Sequence, residues 1–173
     1  MMKTLKISGE KTSELTHPKQ QLEIQSLIGP IFIIASKKLI HSITNKRNSR
    51  YEMVDSKDSF YPILVKAQEQ IQDYLAGKRK KFNLPFAFQG TLFQESIWSE
   101  ISRIPYGKKI SYKELAERIK KPQAARAVGT AVGKNPLCLI IPCHRIIGSN
   151  GEIGGFSMGA ETKKKLLKLE QTH

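Results

Sequence analysis

Residues Leu137 to Ile147 read LCLIIPCHRII, an apolar run interrupted by Pro142-Cys143-His144-Arg145. Polar groups in such surroundings are costly to bury unless partnered. Cys143 beside His144 places a nucleophile next to a base. The thiolate rather than the thiol is the reactive form of cysteine, and a free thiol ionises only near about pH 8.5, so activation is required. His144 can take that proton if a further group orients its ring and stabilises the resulting cation. Glu170, at the end of the amphipathic stretch Glu161–Glu170 with Leu166, Leu167 and Leu169 turned inward, is one candidate for that group. Each member also has an ordinary reading: an inert buried thiol, a hydrogen-bonded core imidazole, an arginine clamp. Their adjacency, beside the helices described next, favours chemistry.

The elements that must position these residues are legible in the second half of the chain. Thr91-x-x-Gln94 is a capping-box pattern that opens a helix with Phe93, Ile97, Ile101 and Ile104 on one face. Pro105-Tyr106-Gly107 ends it. Ser111-x-x-Glu114 opens a second helix through Leu115, Ala116 and Ile119, broken at Pro122. Gln123 to Gly133 forms a third, its Ala124, Ala127, Val128 and Ala131 at helical spacing. Short helices about a brief turn make a helix-turn-helix. Arg126 points away from that stripe, and the helix is otherwise mostly Ala, Gly, Val and Thr, so it can approach a polyanionic backbone closely.

The first half is plainer. Residues 1–26 are polar and weakly patterned and read as an irregular arm. Ile31 to Ile34 and Leu39 to Ile43 read as strands with Lys37-Lys38 at the turn, and residues 44–59 as loop. Leu64, Ala67, Ile71, Tyr74 and Leu75 recur at helical spacing between Tyr61 and Leu75, and Gly77 suits the stop. The expected fold is mixed α/β (α+β): an N-terminal domain, 1–89, of sheet plus helix, and a mostly helical C-terminal domain, 90–173, with the helix-turn-helix and a short active-site strand.

Charge restricts the partner. Lys and Arg number 29 against 15 Asp and Glu, for a net charge of +14. Residues 1–90 carry 15 basic and 8 acidic groups, and residues 91–173 carry 14 and 7, so the excess is not a tail. Such a chain suits nucleic acid first and an anionic membrane second. No segment approaches the roughly 18 consecutive apolar residues of a membrane span, and no amphipathic basic helix supports surface binding. The N-terminus lacks the apolar centre of a signal peptide. Cys138 and Cys143 are the sole cysteines. On a continuous strand they are too close for a strain-free bridge, which fits a reducing cytoplasm. Two Cys and four scattered His give no zinc-ligand spacing.

With those residues in place, the sequence resembles the O6-alkylguanine-DNA alkyltransferase family. The resemblance is carried by Ile141-Pro142-Cys143-His144-Arg145-Ile146-Ile147, ISYKELA (110–116), AARAVG (124–129), Asn135-Pro136, Gly154-Gly155-Phe156-Ser157 and Leu166-Leu167-Lys168-Leu169-Glu170. It covers 89–173 closely and 28–88 more loosely. It implies direct-reversal repair, in which an alkyl group passes once and irreversibly from O6 of guanine in double-stranded DNA to Cys143, after the base is flipped from the stack. Activity on O4-alkylthymine is left open.

The resemblance also implies roles. His144, through a water, and Glu170 complete the relay to Cys143. Asn135 supports the turn before the active site, and Tyr112 hydrogen-bonds the departing guanine. Arg126 fills the gap left by the flipped base, on a recognition face with Ala125, Gly129 and Thr130. Pro142, Ile146, Phe156, Ser157 and Met158 form the base pocket. No cofactor is implied. The zinc site that animal members carry is not expected, because residues 1–90 hold no Cys. The expected state is a cytoplasmic monomer, nucleoid-associated when bound to DNA, with cooperative assembly on DNA left open. The rival reading is a non-catalytic alkyl-lesion-binding helix-turn-helix protein, against which the presence of Cys143 argues.

Overall fold

The computed structural model describes residues 19–55 and 61–172, and the chain divides between Phe88 and Gln89 into two compact units. The first unit is built on a four-stranded sheet ordered β3-β2-β1-β4: β1 Gln20–Ile24, β2 Ile31–Ala35, β3 Ile40–Thr44 and β4 Glu52–Val54. β2 pairs antiparallel with β1, Leu22 opposite Ile33, and with β3, Ile33 opposite Ile43. β4 runs parallel to β1. All five residues of β2 are buried, as befits a strand paired on both edges and covered by a helix. That helix, α1, spans Pro62–Leu75 with proline at its first turn, where the missing N–H costs nothing. Its Leu64, Ala67, Ile71 and Tyr74 are fully buried. Asn83 N–H donates to Gln70 Oε1 at 2.7 Å and Gln70 Nε2 to the Asn83 carbonyl at 3.2 Å, pinning the following segment to α1.

Two readings of this half need correction. Residues 20–24 are not part of an arm but an interior strand, because Leu22 and Ile24 enter the core and Gln21 is buried there with its amide bonded to the Asn48 backbone. The stretch read as loop from 44 contains β4, and β3 begins one residue later than expected. The remainder of the expected arm, residues 1–18, lies outside the described residues.

The second unit holds α2 Leu92–Ile101, β5 Ile110–Ser111, α3 Tyr112–Arg118, α4 Ala125–Gly133, β6 Ile146–Ile147 and α5 Ala160–Thr172. Both expected N-caps form. Thr91 and Gln94 make the full reciprocal box. Ser111 Oγ accepts from Glu114 N–H, while the Glu114 carboxylate takes Arg118 instead. α3, a 3-10 turn at Pro122–Ala124 and α4 form the helix-turn-helix. Trp98 of α2 donates its indole N–H to the Ala131 carbonyl at 2.9 Å, fixing the base of α4.

The phase of α4 differs from the sequence expectation. The helix starts at Ala125 and buries Val128, Ala131 and Val132, while Ala127 is exposed. Val132, larger than any alanine, sets which face turns inward. The run before the active site also departs from a strand. Ile141 N–H bonds the Leu137 carbonyl, Cys143 N–H bonds the Ile141 carbonyl, and Leu139 has a φ of 74°. Only Ile146–Ile147 form a strand, parallel to β5. Among the described residues, no helix is long and apolar enough to cross a membrane.

Thr91→Ala removes the side-chain half of the α2 cap and is expected to lower unfolding free energy by about 1 kcal/mol. Chemical denaturation with unchanged slope checks it.

Candidate active site beside a helix-turn-helix

Cys143, His144 and Arg145 form a single 3-10 turn between the coiled segment and β6. A turn this tight points successive side chains in different directions. The Cys143 thiol meets Asn135, whose Nδ2 lies 2.9 Å from Sγ. The same Nδ2 donates to the Ile141 carbonyl at 2.8 Å, and Asn135 Oδ1 accepts from Leu137 N–H at 3.0 Å. One asparagine therefore ties the end of α4 to the turn bearing the thiol. The non-glycine left-handed conformation of Leu139 stores roughly 1 kcal/mol of strain within that turn.

His144 is fully buried, its Nε2 2.9 Å from Glu170 Oε1. An ionised carboxylate only accepts, so Nε2 carries the proton and the neutral ring presents Nδ1 as its lone-pair nitrogen. Phe156 packs edge-on against the imidazole, ring centroids 6.2 Å apart. Arg145 forks onto the same carboxylate: Nε lies 3.1 and 3.0 Å from its two oxygens and Nη2 2.7 Å from Oε1. Arg145 Nη1 donates to the Ile104 carbonyl, and Gly107 N–H reaches Glu170 Oε2 at 2.9 Å. Glu170 of α5 is thus the common acceptor for the Cys143–Arg145 turn and the loop after α2. Burial alone would raise its pKa, but the bonds from His144 and Arg145 hold it far below the usual carboxylate range.

Burial lowers the pKa of His144, against the pull of Glu170, so it is neutral at physiological pH and available as a base. The Cys143 thiol is held well above its ordinary value, first by the adjoining Cys138 thiol and then by burial. The Asn135 hydrogen bond and the charge of Lys163 act in the opposite direction. The thiol form is therefore the resting one.

Lys163 was missed in the sequence as a buried group. Its ammonium lies 2.6 Å from the Ile146 carbonyl and 3.2 Å from that of Gly155, and burial lowers its pKa to about 8. The signal was available: Lys163, Leu166, Leu167 and Glu170 share one helical stripe, so Lys163 lies on the inward face. Arg145, weighed only as a possible clamp, is such a clamp and belongs to the site. Leu169, expected inward, is half-buried.

Tyr112 opens α3 half-buried, and burial raises its phenol pKa. A Cβ on Gly154, whose φ is 63°, would stand 3.3 Å from the Tyr112 hydroxyl, and one on Gly129 3.8 Å from the ring. Glycine at 154 lets the pocket loop close on the Tyr112 hydroxyl, while a side chain at 129 would make only an ordinary contact with the ring. Pro142, Ile146 and Met158 are buried, Phe156 is half-buried and Ser157 is exposed, its Oγ 3.1 Å from Cys138 Sγ. Arg126 and Thr130 are exposed on α4, with Ala125 and Gly129 half-buried beside them. These four form a separate face and do not join the Cys143 network. Among the described residues, no group of three or more His, Cys, Asp and Glu could hold a metal ion.

A buried thiol joined through Asn135 to a helix-turn-helix, with an imidazole and carboxylate behind it, defines a DNA-binding protein equipped for cysteine chemistry. Residues 92–172 match the family described as 6-O-methylguanine DNA methyltransferase, DNA binding domain, and residues 23–88 match its ribonuclease-like domain. A methylated-DNA–protein-cysteine methyltransferase of Methanosarcina barkeri is 42% identical over 155 residues, 87% of this chain and 96% of its own. An inducible one of Bacillus subtilis is 40% identical over 149 residues, 84% of this chain and 81% of its own. The crystal structure of Mycobacterium tuberculosis OGT in complex with DNA aligns with a TM-score of 0.81 at 33% identity, covering 88% of this chain and 93% of that one. The chain belongs to the methylated-DNA–protein-cysteine methyltransferase family.

Glu170→Gln leaves Arg145 buried without its counter-charge and is expected to cost about 3–5 kcal/mol at neutral pH. Because the folded pKa is depressed below the ordinary 4.5, the stabilisation is full above that pH and is lost only as pH falls well beneath it. Denaturation curves at pH 7 and in acid check the magnitude and the sign: the variant's deficit should shrink in acid.

Proposed function

We infer that the protein repairs alkylated DNA by direct reversal, moving a methyl or larger alkyl group from O6 of guanine in duplex DNA to Cys143, once per molecule. The activity is that of a methylated-DNA–[protein]-cysteine S-methyltransferase. The observation that carries the assignment to Cys143 is its position. It is a buried thiol held by Asn135 at the end of α4, one residue from an imidazole whose far nitrogen is bound to Glu170. This arrangement lies within the segment matching the family's DNA-binding domain.

The chemistry follows from that geometry. His144 accepts the Cys143 proton, and Glu170 steadies the cation that forms. The thiolate attacks the alkyl carbon, the carbon–O6 bond breaks, and guanine leaves with its electron pair. Tyr112 hydrogen-bonds the departing base. The thioether formed has no easy route back, so one molecule repairs one lesion. O6 is shielded in paired DNA, and extruding the nucleotide costs a few kcal/mol. Arg126, exposed on a helix face whose other residues are small, offsets part of that cost by occupying the vacated space. Ala125, Gly129 and Thr130 let the helix approach the groove. Pro142, Ile146, Phe156, Ser157 and Met158 wall the pocket that receives the base. The +14 charge supplies phosphate contacts without sequence preference, so affinity falls with salt.

Incubation with an O6-methylguanine oligonucleotide is expected to add one methyl mass to the peptide containing Cys143, with transfer ceasing at one equivalent. Label on another residue, or turnover beyond one equivalent, overturns the assignment. Cys143→Ala should abolish transfer and keep lesion binding.

Arg126→Ala should slow repair of the duplex lesion by roughly tenfold or more, corresponding to a loss of flipped-state stabilisation of ~1.4 kcal/mol. Reaction with the free base should hardly change. Equal losses in both assays count against the role given to Arg126.

A further inference from the structure

The first unit carries a positive charge that the repair chemistry does not use: residues 1–90 hold 15 basic against 8 acidic groups. Sheet register and helix direction show where it gathers. β1 begins at Gln20, opposite the end of β2 at Ala35, and β4 begins at Glu52, opposite Gln20. β3 begins at Ile40, also opposite Ala35. These residues mark one end of the sheet. The last turns of α1 reach the same end. Tyr74 packs on Phe82, ring centroids 5.1 Å apart, Gln70 bonds Asn83, and the chain then bridges Ile40 at Phe86.

Cations collect there from four elements. Lys37 and Lys38 occupy the β2–β3 turn and are exposed. Lys78-Arg79-Lys80-Lys81 follow α1, the three lysines exposed and Arg79 half-buried. Buried Phe82 and Leu84 and the bond from Lys78 N–H to the Asp73 carbonyl hold that run on a fixed path. Arg50 is exposed just before β4, and Lys19, just before β1, lies over the Tyr51 ring at 5.9 Å. Against them, among the described residues, stand Glu52 and Asp73, the latter engaged by Arg79 at 3.4 Å. Glu69 lies a turn further back on α1. At the other end, Lys46 after β3 and Lys66 near the start of α1 are matched by Glu23 and Asp55. Cations beside the last carbonyls of a helix complement its dipole, which accounts for Lys78 and Arg79. It does not account for Lys37, Lys38 and Arg50, which come from other elements.

We propose that this end of the first unit binds the phosphate backbone of double-stranded DNA, as a contact separate from the helix-turn-helix. The proposed function enters only in the choice of polyanion. Binding to an anionic bilayer surface calls for apolar side chains that enter among the headgroups. The large apolar residue that this unit exposes among those described, Leu27, sits in the β1–β2 turn at the opposite end of the sheet. Lysine ammonium groups meet phosphate oxygens as point charges and read no base edges, so the contact is independent of sequence. Each phosphate neutralised releases counterions, which adds about 0.9 to the slope of log affinity against log salt.

The test measures binding of the full chain to an unmodified duplex by fluorescence anisotropy, between about 50 and 200 mM salt. Replacing Lys37 and Lys81 together by Gln should lower the salt slope by about 2 and weaken binding roughly tenfold or more at the low-salt end. Replacing Lys46 and Lys66 together by Gln removes the same charge and should leave both quantities nearly unchanged. Equal losses in the two double variants overturn the proposal, because net charge alone would then be at work. So does a Lys37→Gln, Lys81→Gln protein that binds like the wild type, or one that loses binding to phosphatidylserine vesicles and not to DNA. A second measurement needs no variant. Duplex DNA should protect Lys37, Lys78 and Lys81 of the wild type from acetylation by an N-hydroxysuccinimide ester and leave Lys46 and Lys66 reactive; uniform reactivity overturns the proposal. Methyl transfer from a saturating O6-methylguanine duplex to Cys143 should persist in both double variants. Its absence from the wild type would strike the repair reading alone, since binding is measured on undamaged DNA.

Discussion

The second unit depends on one carboxylate. Glu170 is buried, and a buried charge is tolerable only when its oxygens are fully engaged. Arg145 supplies a fork, His144 one ring nitrogen and Gly107 a backbone N–H. Two separated stretches of chain therefore converge on one side chain of α5. Arg145 neutralises Glu170 and donates from Nη1 to the Ile104 carbonyl, just beyond α2. That neutralisation has a chemical result for its neighbour. With Arg145 matching the carboxylate, Glu170 orients His144 without forcing a permanent proton onto it, and burial keeps the imidazole neutral. The carboxylate that clamps Arg145 is also the one that orients His144.

Lys163 makes a comparable connection on the other side of the turn. Its ammonium joins the carbonyl of Ile146, next to the Cys143–Arg145 turn, to that of Gly155. It places a positive charge near Cys143 without a direct hydrogen bond. Such a charge favours the thiolate electrostatically while burial and Cys138 favour the thiol. The balance can shift when a substrate alters the surroundings.

Much of this was legible because it rests on local chemistry. The caps at Thr91 and Ser111 are written into four-residue patterns, and the Pro142–Arg145 interruption stands out against its apolar flanks. What could not be read depends on distant pairing or on phase. β1 carries only two strongly apolar residues, and nothing in Gln20–Ile24 reveals that β2 and β4 will flank it. β4 is three residues long and pairs in parallel, which no local turn announces. In α4, alanines provide too little apolar area to set the helix phase, so Val132 decided it. The apolar character of 137–141 suggested a strand, yet its hydrogen bonds close into turns. The role of Glu170 rested on family resemblance, because its partners lie 25 to 63 residues away in sequence.

The indole that anchors α4 has an optical consequence. Trp98 is the sole tryptophan of the chain, almost fully buried, with its N–H committed to the Ala131 carbonyl. Indole emission responds to polarity and to the state of that N–H. The tryptophan fluorescence of the molecule therefore originates at the joint between α2 and α4. A displacement of that helix changes the surroundings of the fluorophore, so the protein carries its own spectroscopic gauge of how the helix is seated.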